Sequence, residues 1–121
     1  MHTGAAGGGA LNTQVTERPH HVVVRLSGEV DLSSSPQARA VILDWLGRGH
    51  HVLVDLSGVE YIDSSGLATL VEGYQLAKAK DLRFGLLSPN ATVMDVLQLA
   101  RLDQVFPLFD REDDFRTAPA G

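Results

Sequence analysis

Apolar and polar positions recur along this chain in two periods, and the switches between them mark its elements. Leu11 to Thr16 alternates weakly, Glu17-Arg18-Pro19 interrupts, and His21-Val22-Val23-Val24-Arg25-Leu26 follows as a β-branched run. The pair reads as an edge strand hairpinned onto a stronger one. Gly28-Glu29-Val30-Asp31 is the next turn, and Ser35-Pro36 supplies a cap with proline at the first helical position. Ala38, Val41, Ile42, Trp45 and Leu46 then share one helical face until Gly47 and Gly49 stop it. His51 to Leu56 reads as a buried strand, and Leu67, Leu70, Val71, Tyr74 and Ala77 line one face of a helix over Ser65 to Lys80. Leu82 to Leu87 is another strand. Pro89-Asn90 caps a helix carrying Val93, Val96, Leu97 and Ala100. A short apolar stretch, Val105 to Phe109, precedes one or two helical turns over Arg111 to Arg116.

Strands separated by helices of this length require crossover connections, hence parallel pairing with an antiparallel edge from the first hairpin. The fold class is α/β. In such sheets functional groups gather beyond the carboxyl ends of the strands, where Asp31, Asp55 and Asp63 to Gly66 are expected. The pairs His20-His21 and His50-His51 begin their strands and belong at the opposite edge. They could meet there as a metal site, but alternate strand residues point to opposite faces and no carboxylate spacing supports one, so no metal is expected. Trp45, on the face of Val41 and Ile42, is expected in the core; Met94 and Leu99 read as overflow of the core stripe. Gly73, inside a helix, points to close packing or to close approach of a partner.

With 121 residues, 44% hydrophobic and 21% charged, the chain fits one ordinary globular domain. Residues 1–10, with Gly7-Gly8-Gly9, and 117–121 are expected to be flexible tails around a domain over 11–116. The first tail mimics the start of a phosphate loop, but Ala10-Leu11 replaces the Lys and Ser/Thr and no strand precedes it. A formal charge of −5 disfavours nucleic acid and anionic membrane surfaces as partners. The absence of cysteine excludes disulfides and thiolate chemistry. No apolar run reaches a membrane span, and the first ten residues lack signal-peptide character, so the protein is expected in the cytoplasm.

Asp63-Ser64-Ser65-Gly66 joins a strand to a helix and places two hydroxyls at the helix mouth. Backbone N–H groups there lack internal partners and the dipole is positive, so a phosphate gains roughly 0.3 to 1 kcal/mol, up to about 2. A partner facing that phosphate with one carboxylate at 4 Å loses roughly 4 kcal/mol at an effective dielectric near 20. Simple capping by Asp63 or Ser64 explains one of these residues but does not require two serines and a glycine. Asp31 has two readings, a recognition group or a turn residue satisfying nearby N–H groups.

Three segments together resemble the STAS family of anti-sigma factor antagonists: Gly28-Glu29-Val30-Asp31; Val52 to Val59 with Tyr61-Ile62-Asp63-Ser64-Ser65-Gly66-Leu67; and Leu86-Leu87-Ser88-Pro89. The likeness spans about residues 11 to 115, and Val93 to Phe109 is similar to that family's third helix and final strand. The resemblance implies a single STAS-like domain with helices mainly on one sheet face. It implies a non-enzymatic switch: the unphosphorylated protein binds an anti-sigma factor that is a serine kinase, releasing the sigma factor. Phosphorylation at Ser64 ends binding, and a metal-dependent serine phosphatase restores it. Asp31, Asp63, Ser65 and Gly66 would frame Ser64 in partner binding. ATP would belong to the kinase, so no cofactor is expected for this chain. The glycine-rich tail has no counterpart in the family pattern.

Rival readings fare less well. A serine nucleophile elbow would need glycine two positions before the serine, where Ile62 and Asp63 stand. An aspartate-phosphorylated receiver using Asp55 would need an acidic pair after its first strand and a lysine after its last, and neither is present. A STAS subunit of a lipid transporter or stress-signalling assembly would share the fold and differ in partner.

Overall fold

The sheet follows from the order in which the chain lays down its strands. The computed structural model describes residues 11–118. Strands β1 (Leu11–Glu17), β2 (Val22–Val30), β3 (Val52–Ile62), β4 (Phe84–Leu87) and β5 (Leu108–Phe109) lie in sequential order, antiparallel between β1 and β2 and parallel thereafter. Helices α1 (Ser35–Gly47), α2 (Ser64–Ala79) and α3 (Ala91–Leu99) are the crossovers, and α4 (Glu112–Thr117) ends the described chain. Right-handed crossovers that all advance in one direction place their helices on the same sheet face. One core therefore joins Val22, Val24, Leu26, Val52, Val54 and Leu56 to Ala38, Ile42, Leu46, Leu70, Val93 and Leu97. Each buried branched side chain contributes about 1.5 to 3 kcal/mol.

The opposite face holds a smaller cluster, Val23, Leu53, Leu87 and Phe115, and α4 covers it. Three polar contacts fix α4 there. Arg18 Nε donates to Glu112 Oε2 at 2.8 Å, His21 Nε2 lies 3.0 Å from the same oxygen, and the Arg83 guanidinium stacks on Phe115 and donates to its carbonyl. The Arg18 hydrogen bond holds the Glu112 carboxyl below the usual carboxylate range; partial burial opposes this, and the Arg18 charge and His21 reinforce it. A depressed acid stabilises the fold above its unfolded pKa and loses that contribution as pH falls through the folded value. Glu112→Gln should lower the melting temperature at pH 7 and flatten its decline below about pH 4.3, the ordinary Glu value. An unchanged acid limb in a thermal melt series would show that this pairing does not couple to folding.

Several expectations are revised. β3 was expected to end near Leu56 but runs to Ile62, because register shifts put two extra β3 residues opposite β2 between Arg25 and Glu29. Each bulge re-aims the strand, so Leu56, Val59 and Ile62 all face the core at a spacing of three rather than two. Gly58 sits at the first shift, where an added Cβ would meet Ser27 Cβ at 2.9 Å. Asp55 consequently lies within β3, not at a carboxyl end, and its carboxylate accepts from the N–H and hydroxyl of Ser57. Leu99 is 87% exposed rather than core overflow, whereas Met94 is half-buried against the core. Trp45 is half-buried, with the Arg48 guanidinium 4.6 Å from its ring centre. Gly73 is explained by packing: a Cβ there would meet Ile42 and Phe84 at 3.0 Å.

His21 and His51 take structural roles. Burial lowers the His51 pKa, with the Arg83, His21 and His50 charges adding, and His51 Nδ1 accepts from the Arg83 backbone N–H at 2.9 Å. Among the described residues no three His, Cys, Asp or Glu are grouped to hold a metal, and no helix is long and apolar enough to cross a membrane. Of the tails expected at 1–10 and 117–121, residues 1–10 and 119–121 lie outside the described residues, and Thr117 is the last residue of α4.

Candidate functional site

Beyond Leu87 the sheet loses β4, and β2 and β3 continue alone as a two-stranded ribbon. Asn90 takes the place of the missing strand. Its Nδ2 donates to Val59 O at 2.6 Å while its Oδ1 accepts from Val93 N–H at the start of α3, so one side chain ties the ribbon to a helix cap. The ribbon ends in two adjoining loops, and Asp63 N–H donates to Val30 O at 3.2 Å to lock them side by side. This brings Asp31 and the Asp63-Ser64-Ser65-Gly66 junction to one end of the sheet, as the sequence predicts.

Asp63 is the N-cap of α2. It has extended backbone, and its Oδ1 accepts from Ser65 N–H at 2.9 Å and Gly66 N–H at 3.2 Å. Ser64 is the first helical residue and is exposed; Ser65 is half-buried and Gly66 buried. The glycine is required by packing, since a Cβ at position 66 would lie 2.6 Å from Ile62 Cγ1 and 2.8 Å from Val30 O. Gly66 thus lets the mouth of α2 sit directly on the ends of β2 and β3, which leaves Ser64 facing outward.

The expectation of free amides for a phosphate needs correction. The Asp63 carboxylate already takes two of them, so a phosphate on Ser64 would meet the positive helix end together with a neighbouring negative charge. These effects oppose each other, and because Ser64 is exposed solvent screens both. Phosphorylated protein should therefore melt within a few degrees of unmodified protein, and a large loss in calorimetry would mean that the modification breaks the cap.

Asp31 holds a turn in the structure. Its Oδ1 accepts from Ser33 N–H and Ser34 N–H, while the Ser34 hydroxyl accepts from Asp31 N–H, donates to Glu29 O at 2.7 Å and lies 3.1 Å from Asp31 Oδ1. This network fixes the loop between β2 and α1. At its tip Leu32 is 75% exposed, an apolar side chain held in water by a rigid turn. Tyr61, two residues before the cap, is 49% exposed. Sequence reasoning missed both, although a lone leucine in Asp31-Leu32-Ser33-Ser34 was a usable signal.

Comparison with known proteins agrees with this architecture. The STAS domain family matches residues 12–115. The anti-sigma F factor antagonist of Paenibacillus polymyxa is 30% identical over 107 residues, covering 84% of this chain and 91% of that protein. The crystal structure of an anti-sigma factor antagonist from Mycobacterium paratuberculosis superposes with a TM-score of 0.79 at 29% identity, covering 90% of this chain and 93% of that one. The anti-sigma factor antagonist SpoIIAA in its unphosphorylated form gives a TM-score of 0.73 at 26% identity, over 85% of this chain and 91% of that one. Its Bacillus phosphorylated form gives 0.67 at 25%, over 85% and 95%. These relatives are antagonists, regulators that act by binding, and the non-enzymatic reading rests on them. Sequence match and overall fold agree, and the chain belongs to the STAS domain family.

Proposed function

We propose that this protein is an anti-sigma factor antagonist switched at Ser64. In the unphosphorylated state it binds an anti-sigma factor that is also a serine kinase, and the sigma factor is released. The kinase transfers the γ-phosphoryl group of ATP to the Ser64 hydroxyl, leaving ADP, and the modified surface no longer fits. A serine phosphatase hydrolyses the phosphoester and restores binding. Operation in the cytoplasm follows from such partners.

The observation that carries this reading is an exposed Ser64 at the first position of α2, with Asp63 and Gly66 holding it in place from behind. A kinase needs a hydroxyl that it can reach without unfolding its substrate. Support comes also from the relatives, one of which is known in both phosphorylated and unphosphorylated forms. Within the site, Ser64 is the modified group, Asp63 and Gly66 position it, Ser65 borders it, and Asp31 acts by fixing the loop that presents Leu32.

Incubation of the protein with ATP and native lysate, followed by peptide mass mapping, tests the modification. Phosphate should appear at Ser64 and vanish in Ser64→Ala. Modification confined to another residue, or none, would favour a STAS subunit of a different assembly.

A further inference from the structure

At the far end of α2 the fold leaves a cavity of about 190 Å³. Its origin is the shortness of β5, which pairs only with Leu86 and Leu87, so the sheet stops short beside Phe84 and Gly85. The walls are largely aromatic, formed by Tyr74 of α2, Phe84 of β4, Phe109 of β5 and Phe115 of α4. Two cations, Lys78 and Arg83, stand at the lining and no carboxylate does. Lys78 Nζ is 5.4 Å from the centre of the Tyr74 ring, and the Arg83 guanidinium lies 4.6 Å from that of Phe115. Among the described residues neither cation is in an ion pair, in a chain with net charge −5.

We propose that this cavity binds a small aromatic carboxylate, its ring among the four aromatic side chains and its anionic group toward Lys78 and Arg83. Volume and charge decide the class. An apolar cavity of roughly 150 Å³ suffices to hold benzene, so the space here accepts one ring with a short acidic arm. Cations without a carboxylate partner beside aromatic walls select an anion over a neutral analogue, Lys78 turning toward it while Arg83 also donates to Phe115 O. Ser64 is about 21 Å away along α2 at about 1.5 Å rise per residue, so this site is separate from the proposed switch.

Phenylacetate is a suitable probe, with phenylacetamide as the neutral analogue and acetate as the ringless one. In amide-resolved NMR titrations of the full chain, phenylacetate should shift Tyr74, Phe84 and Phe115 saturably. A ligand of about ten heavy atoms corresponds to a dissociation constant in about the millimolar range. The amide should bind at least about fivefold more weakly, and Lys78→Met should weaken phenylacetate by a similar factor. Ala118→Trp, which fills the cavity mouth, should abolish the shifts. Shifts that fail to saturate, that map to Arg18 and His20 instead, or that are equal for acid and amide would overturn the proposal.

Discussion

Replacing Ser64 with aspartate is expected to weaken capture of the anti-sigma partner by two to three orders of magnitude while leaving the fold intact. One new charge opposed by one carboxylate at about 4 Å costs roughly 4 kcal/mol at an effective dielectric near 20, and each 1.4 kcal/mol is tenfold in affinity. The side chain at position 64 is exposed, so the host has little to lose. Ser64→Ala, which adds no charge, should bind as well as the wild type and resist release by ATP. Equal capture of the alanine and aspartate forms in a quantitative pull-down would show that the partner does not read this position.

Gly66→Ala should be the most damaging small substitution at the site, lowering stability by roughly 3 kcal/mol, at the upper end for overpacking. The new methyl would lie 2.8 Å from Val30 O and 2.9 Å from Val30 Cγ1, and a backbone oxygen in the β2–β3 ribbon has no room to yield. The α2 mouth must lift away, carrying the Asp63 cap and Ser64 with it. For a domain of this size the melting temperature should fall by about 10 °C or more. Gly47→Ala is the control, because nothing lies within 4 Å of its Cβ position; it should be neutral or stabilising by up to about 1 kcal/mol. Similar melting temperatures for the two variants would refute the close approach of α2 to β2.

The proposed switch region was legible because its signals are local. An aspartate cap, two hydroxyls and a glycine ahead of the stripe Leu67, Leu70, Val71, Tyr74 and Ala77 can be read without tertiary information. The alternating helices and strands likewise specify the parallel sheet. What the sequence hid depends on irregularity or distance. Two bulges in β3 replace the period of two by Leu56, Val59 and Ile62, so the strand was cut short and Asp55 misplaced. The contact between Arg18 and Glu112, which helps hold α4 over the second sheet face, spans 94 residues. The packing need for Gly66, room between a helix mouth and Val30, also depends on a distant strand. Leu32 was passed over because a single apolar residue in a polar loop carries no period.

The central claim is that a phosphate on Ser64, standing outward at the capped mouth of α2, ends an interaction without unfolding its host. The most direct measurement is a titration of the captured anti-sigma partner against this protein before and after stoichiometric phosphorylation at Ser64, with melting curves of both forms. The prediction is a dissociation constant raised by about a hundredfold or more, with melting temperatures within a few degrees. Unchanged affinity, or lost affinity accompanied by a collapsed melting transition, would contradict it.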